Sequence, residues 1–393
     1  MNRETQDLLT KGVSTCIDRS HLEQRLIAGE KLVVKFGIDP VASKIHIGHM
    51  VPFHKLQKFQ EMGHTIVLLF WDATAQVGDT SDKDAERPML TREETRKHAE
   101  AFLEKFSKVV DISKIHIYYN SEWLDRVNFA WVGELAKHFS VAEMLDRDNF
   151  SKRYKEGKRI SLQEFLYPIM QGYDSVAIAR KYGSCDIELW GNDQYFNLLA
   201  WRRMMDAFWL PKQDIMAFEL LIGTDGKKMS KSSPNCILID DTPFDMYQKI
   251  INLHDDLILH YYELTTNLSL EEVAEIKKRL MSGEAPNRLK EELAQIIITM
   301  YHGKPYDPKE VSNIETVSLA DSSLKKVDEW VILSDLLKTI WFCATSGDVK
   351  NALAGKSVRI NGEVITDTKY MVKIPQEWIL VEMGKRKAKR VVL

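Results

Sequence analysis

Apolar and polar positions fall along the chain in blocks that predict alternating helices and strands. Leu8, Leu9, Leu22, Leu26 and Ile27 punctuate the first thirty residues, with Gly29 as a stop, so this segment reads as helix. Leu32, Val33 and Val34 form an apolar, β-branched run that reads as a strand. Met50, Phe53, Leu56 and Phe59 then recur at the period of an amphipathic helix that Gly63 ends. Thr65–Phe70 is a continuous apolar run, the pattern of a strand buried on both faces of a parallel sheet. Residues 80–90 are polar and read as loop. Thr91–Glu94 and Ser161–Glu164 are capping boxes that open helices, and Pro168 should bend the second by removing a hydrogen bond. Lys114–Tyr119 and Asp186–Trp190 read as further strands, with helical patterns over 122–150 inserted between the two halves of the sheet. Strand, helix and strand, with polar residues just beyond the strand ends, put a nucleotide site at the C-terminal edge of the sheet.

The second half changes character. Ile215–Leu221 leads into a glycine-flanked loop, and after Pro234 the pattern is helical to about Gly303. Residues 304–327, with Pro305, Pro308 and several serines, read as a linker. Beyond it, Leu333–Lys338 and Asp348–Leu353 look like two helices, and Val358–Val364 is a strand–turn–strand with Asn361–Gly362 as the hairpin signal.

Composition narrows the class. The chain has 393 residues, 44% hydrophobic and 28% charged, ordinary for a soluble protein of more than one domain. A net charge of −3 means that any nucleic-acid contact must come from local basic patches. Cys16, Cys185, Cys236 and Cys343 have neither metal nor redox-motif spacing, which points to reduced thiols, no protein-held metal and a cytoplasmic location. The first residues lack the apolar core of a signal peptide, and no run is long enough to cross a bilayer, so no membrane association is expected.

Four groups of residues carry candidate chemistry. His46 and His49 lie three apart at a helix start, where free N–H groups and the macrodipole favour a phosphate. Gly48 between them lets a flat ring approach the backbone. Downstream, Lys228–Met229–Ser230–Lys231–Ser232 follows Gly223 and Gly226, a mobile loop whose lysines can close on phosphates. Tyr167, Gln171 and Asp174 share one face of an otherwise apolar helix, so they either hydrogen-bond internally or serve a ligand. Lys385, Arg386, Lys387, Lys389 and Arg390, with Lys356 and Arg359, make a basic surface; Val391 and Val392 beside it suggest a strand, which favours RNA phosphate binding over a solvated tail.

The histidine and lysine motifs, in this order and spacing, resemble the signature pair of class I aminoacyl-tRNA synthetases. Gly78–Asp79, Asn120–Trp123, the Tyr167/Gln171/Asp174 helix, Gly191–Gln194 and the tail extend the resemblance, over nearly the whole chain, to the bacterial-type tyrosyl-tRNA synthetases. It implies an α/β fold: a Rossmann-like nucleotide-binding domain with a parallel sheet at 1–232 (insertion around 120–160), a helical tRNA-anticodon-side domain at 233–303, the linker, and a small α+β S4-like RNA-binding domain at 328–393. It implies a ligase that joins L-tyrosine to tRNA(Tyr) through an adenylate, with ATP as substrate, Mg²⁺ sharing the phosphate charge, and a homodimer formed through 120–165.

On the same resemblance His46, His49, Lys228 and Lys231 stabilise the reacting phosphates. Gly37, Asp39, Gly48, Gly191, Asp193, Met229 and Ser230 line the nucleotide, with Asp193 on the ribose. Asp79, Tyr167 and Gln171 hold the substrate ammonium, Gln194 the carboxylate region, and Asp174 accepts the phenol proton. Three departures stand out. Lys35 occupies the position where some members carry a second tyrosine, which leaves Asp174 the main specificity residue. Thr80 and Asp82 replace a common proline and glycine. Trp190 replaces a common glycine, and its side chain must point away from the nucleotide. The rival readings are a tryptophan-activating enzyme of the same class, a non-catalytic RNA-binding paralogue, and a small-molecule adenylyltransferase.

Overall fold

A computed structural model describes residues 3–40, 44–76, 90–146, 148–191, 195–227, 229, 235–306, 316–319, 324, 330–374, 379–384 and 387–392, without the side chains of 148–149, 195–200 and 387–388. The chain forms two compact units: 1–242 with 249–304, and 243–248 with 305–393.

The first unit is built on a six-stranded sheet. In chain order its elements are α1 (Arg3–Thr10), β1 (Val13–Ile17), α2 (Arg19–Ile27), β2 (Val33–Ile38), α3 (Val51–Glu61), β3 (Thr65–Phe70), α4 (Arg92–Phe106), β4 (Ile115–Tyr119), α5 (Ser121–Leu124), α6 (Phe129–Ala136), α7 (Val141–Leu145), α8 (Asp148–Lys155), α9 (Leu162–Tyr182), β5 (Ile187–Gly191), α10 (Tyr195–Ala207) and β6 (Asp214–Phe218). The strand order is β1-β6-β5-β2-β3-β4, and every pairing is parallel except β1 with β6. The chain leaves β2 toward β3 and β5 toward β6, in opposite directions, so a crevice opens beyond the C-terminal ends of β2 and β5, where such sheets bind ligands.

Local chemistry explains most boundaries. Thr91 and Ser161 accept from the backbone inside α4 and α9, and Glu94 and Glu164 bond back to the caps. β2 and β3 are buried almost throughout, as strands covered on both faces must be. The first thirty residues are not one helix. Gly12, at φ +62°, breaks it, and Val13–Ile17 pairs along the free edge of β6. The apolar spacing read as helical is met by α1 and α2 alone.

After the lysine loop come α11 (Pro243–Ile251), α12 (Ile258–Thr265), α13 (Leu270–Met281) and α14 (Pro286–His302); the last three belong to the same compact unit as the sheet. Tyr261 on α12 donates to the carbonyl of Ile222 at 2.7 Å, which fixes the segment just before the lysine loop.

The second unit contains β7 (Thr316–Ser318), β8 (Trp330–Ile332), α15 (Leu333–Thr339), α16 (Ser346–Ala354), β9 (Val358–Ile360), β10 (Glu363–Val364), β11 (Met371–Lys373), β12 (Ile379–Met383) and β13 (Lys387–Val392). A five-stranded sheet runs β10-β9-β12-β13-β7. Asn361 and Gly362, both at positive φ, make the tight turn between β9 and β10. β7 falls within the stretch read as linker, pairs parallel with β13, and is followed by the fully buried Leu319. The core of this unit is Leu333, Leu336, Leu337, Val349, Leu353 and Val381 with their neighbours.

Candidate active site

The histidine motif lies beyond β2, at the mouth of the crevice. Residues Ile47–Met50 form a 3₁₀ turn that runs into α3, rather than the first turn of an α-helix. The His46 N–H donates to Nδ1 of His49 at 3.1 Å, and the two rings lie 3.6 Å apart, tilted by 41°. A Cβ on Gly48 would come within 3.0 Å of the His46 ring. The flat group that Gly48 accommodates is therefore His46 itself.

The segment after the lysine motif returns to this turn. Ile47 N–H donates to the carbonyl of Ile237 at 3.0 Å, and Ile239 N–H to that of Ile45, also at 3.0 Å, with His46 bridged to Leu238. The loop is closed at its base: Thr224 N–H donates to Asn235 O at 3.1 Å, and a Cβ on Gly223 would meet the Asn235 side chain at 2.4 Å. Gly223 is thus required for close packing and Gly226 for its φ of +77°. Met229 is buried. Lys228, Ser230 and Lys231 lie outside the described residues, as do Gly78, Asp79, Asp193 and Gln194. Gly37 is in β2, Asp39 is half-buried just past its end, and Gly191 ends β5.

Tyr167, Gln171 and Asp174 sit together on α9, at 3%, 1% and 0% exposure. Gln171 Nε2 donates to the Tyr167 hydroxyl at 2.9 Å, while Gln171 Oε1 is buried without a hydrogen-bond partner among the described residues. Leaving a buried acceptor unmet costs about 1–3 kcal/mol, and an ammonium would meet it. Asp174 accepts from Trp123 Nε1 at 2.7 Å and from Asn120 Nδ2 at 3.4 Å. Asn120 also accepts from the Ala73 N–H at 3.0 Å, which ties the end of β4 to the segment after β3.

A buried charge pair underlies this subsite. Lys35 on β2 and Glu188 on β5 are cross-strand partners in register, both fully buried, with Nζ and Oε2 2.8 Å apart. Lys35 Nζ also stands 4.9 Å from the Trp201 ring. Burial pushes Asp174 up to about 7, against the pull of Lys35 and the Trp123 and Asn120 bonds. Burial likewise raises Glu188 to about 7, again opposed by Lys35. Burial disfavours the Lys35 ammonium, but Glu188, Cys185 and Asp174 outweigh that and raise its pKa. Lys35 is therefore a positive charge shared by two buried carboxylates.

Sequence reasoning gave Trp123, Asn120 and Glu188 no role in the site. The signal for Glu188 was present: opposite charges in two runs that otherwise read as fully buried neighbouring strands can persist only if they meet. Trp190 packs with Trp71 and Trp201, ring centres 4.9 and 5.3 Å away.

In the second unit the basic residues are divided. Arg359 bonds Asp245 at 3.1 Å. Cross-strand register puts Arg359, Glu382 and Arg390 on one face of the sheet and Lys389 with the core residue Val391 on the other. Lys356 is exposed, at φ +53°. Lys385 and Arg386 lie outside the described residues, as does the Lys387 side chain.

A parallel α/β sheet with its candidate residues beyond β2 and β5 defines a nucleotide-binding architecture. The family model of class I tRNA synthetases (W and Y) matches residues 28–315, and the chain belongs to that family. The tyrosine–tRNA ligase of Thermotoga maritima is 37% identical over 99% of this chain and 97% of its own length. The tyrosine–tRNA ligase of Oleidesulfovibrio alaskensis is 43% identical over 77% of this chain and 75% of its own. Among solved structures, a C-terminally truncated mitochondrial tyrosyl-tRNA synthetase of Coccidioides posadasii superimposes with a TM-score of 0.64, at 22% identity, over 77% of this chain and 89% of that one; this likeness is of fold alone. No helix among the described residues is long and apolar enough to cross a membrane.

Proposed function

We propose that this chain activates L-tyrosine with ATP and transfers it to the 3′ end of tRNA(Tyr). The observation that carries the reading is the pairing of residues 45–47 with 237–239, which ties the histidine turn to the chain just beyond the lysine motif. Cations from two distant stretches can then act on one triphosphate. The full-length tyrosine–tRNA ligase relatives favour tyrosine over tryptophan.

The chemistry needs no covalent enzyme intermediate. The tyrosine carboxylate attacks the α-phosphorus and pyrophosphate leaves in line; a ribose hydroxyl of the tRNA then attacks the acyl carbon of the adenylate, the acyl–phosphate bond breaks, and AMP leaves. Positioning and charge stabilisation carry both steps. His46 and His49 donate to the phosphate oxygens as charge moves onto pyrophosphate. Lys228 and Lys231 close on the β- and γ-phosphates of the magnesium–ATP substrate. Gly37, Asp39, Gly48, Gly191, Met229 and Ser230 line the nucleotide, and Asp193 takes the ribose. Asp79, Tyr167 and the unmet Oε1 of Gln171 receive the ammonium, and Gln194 the carboxylate. Asp174 accepts the phenol proton. Phenylalanine would leave that buried acceptor unpaired, and the cost of doing so gives discrimination without an editing site.

We assign tRNA contact to the helical region 233–303 and to an S4-like unit at 328–393, with Lys356, Lys385 and Arg390 on phosphates, Arg359 bonded to Asp245, and Lys389 on the opposite face of the sheet. A homodimer through 120–165 accords with the exposed Phe129, Val141 and Leu162, at 93%, 69% and 82%. A cytoplasmic location belongs to the same reading. Amino-acid-dependent pyrophosphate exchange tests it: exchange with tyrosine is expected, and exchange with tryptophan alone would reassign the substrate.

A further inference from the structure

Asp174, Tyr167 and Gln171 are sealed from solvent, although tyrosine activation requires an amino acid to reach them. Beside Asp174 lies an aromatic cluster, against which its hydrogen-bond partner Trp123 packs. Trp71 follows the last residue of β3 and is 1% exposed. Its ring lies flat over Gly37: a Cβ at that glycine would fall 2.1 Å from Trp71 Cζ2 and 2.7 Å from Cε2 and Cη2. Trp201 and Trp190 back the indole, with ring centres 6.2 and 4.9 Å from it. Leu69 and Ile215 complete the packing.

Gly37 leaves a flat slot beside the strand, and in this structure a side chain of the protein fills it. The indole N–H is close enough to Asp174 to act on its charge, yet Nε1 has no partner within hydrogen-bond geometry among the described residues. An aromatic ring that carries a polar N–H and stands near Asp174 resembles in outline the amino acid the subsite is meant to hold. Its backbone is anchored, Trp71 N–H to Ile38 O and Ala75 N–H to Trp71 O, both at 2.9 Å, so any departure of the ring is a side-chain rotation with the strand end in place. A simple wall would stand beside an opening. Here the three side chains assigned to the amino acid are closed off together, and Gln171 Oε1 and Trp71 Nε1 have no partner in hydrogen-bond geometry among the described residues.

We propose that Trp71 is an internal occupant of the amino-acid subsite, whose indole must leave the slot over Gly37 before the substrate ring can reach Asp174. This rests on the assignment of Asp174 to the substrate side chain. The affinity for the amino acid is then reduced by the fraction of molecules in which the slot is filled, and Trp71 sets that fraction.

The test is equilibrium dialysis of L-tyrosine, L-tryptophan and L-phenylalanine against wild type, W71F and W71G, each first shown to unfold cooperatively on heating. W71G is expected to bind its preferred amino acid at least tenfold more tightly than wild type, and W71F about threefold, with the KM for ATP unchanged. In wild type, saturating amino acid should change tryptophan fluorescence, and W71F should lose most of that change. Equal or weaker binding by the variants makes the indole a wall and overturns the proposal; if W71G does not fold, W71F alone decides. Pyrophosphate exchange is measured separately. A wild type that exchanges with tryptophan and not tyrosine would remove the tyrosine reading, while the gain of W71G for tryptophan would still decide the role of Trp71.

Discussion

The two ends of the candidate site are built differently. The end proposed for phosphate uses backbone, glycines and short motifs: a 3₁₀ turn, His46 lying on Gly48, and a loop base closed by Gly223 against Asn235. The end proposed for the amino acid uses side chains from β2, β5, α5, α9 and α10 with Asn120 after β4, packed together around one ion pair. That second end is closed and, among the described residues, leaves Gln171 Oε1 without a hydrogen-bond partner. An end made of local backbone changes little when one distant residue changes, whereas an end made of coupled buried charges passes each change to its neighbours.

The sharpest break between the two should come from the histidines. His46→Ala with His49→Ala is expected to lower kcat for tyrosine-dependent exchange by about 10²–10³, the scale of losing oxyanion-type donors, and to leave tyrosine affinity by dialysis within about twofold. Loss of tyrosine binding would show that the ends are not separable.

Asp174→Asn acts on the other end alone. Loss of a charged hydrogen bond of about 1.5–3 kcal/mol predicts a fall of roughly 10- to 150-fold in kcat/KM for tyrosine, with little change for phenylalanine. A mutant that still rejects phenylalanine as wild type does would remove Asp174 from the specificity role.

Acidity should separate two readouts. With Asp174 and Glu188 raised to about 7, lowering pH through 7 protonates the acceptor, so kcat/KM for tyrosine should fall on the acid side. Stability should move the other way. Carboxylates with raised pKa stabilise the fold most below their unfolded values, near pH 4, and lose that contribution as pH rises to about 7. Lys35→Met should push the activity limb to higher pH and destabilise the chain by about 3–5 kcal/mol, as removal of one buried partner does; adding Glu188→Met should recover most of that loss. Titration of kcat/KM and urea melts at matched pH check both signs. An unmoved limb would mean that Lys35 has no electrostatic hold on Asp174.

The smallest effect on either end is expected from deleting residues 305–393. Exchange should stay within about twofold while tRNA charging is lost, measured by filter assay. Equal loss of both would tie the second unit to the chemistry.

The same contrast explains what could be read from the sequence. The sheet was legible because buried parallel strands are apolar runs, and α4 and α9 because their capping boxes are local. β1 was not, since five residues on an edge strand carry no pattern that distinguishes them from a helix segment until their partner β6 is known. The histidine turn and the glycines at the base of the lysine loop stood out in the sequence because each group is a short run of neighbouring residues. The indoles of Trp71 and Trp201 and the Lys35–Glu188 pair were not, because each gains meaning only from a residue on another strand or helix. The basic tail shows a related limit: a run of like charges in a strand alternates between faces, so adjacency in sequence does not make one surface.

The edge strand β1 has a consequence for how the molecule is made. Val13 pairs with Phe218, so the strand emerges from the ribosome about two hundred residues before its partner. At synthesis rates of roughly 5–20 residues per second, it waits on the order of 10–40 s. During that interval the nascent chain carries an unmatched strand, and any factor that shields it in translation would favour the yield of folded protein over misassembly.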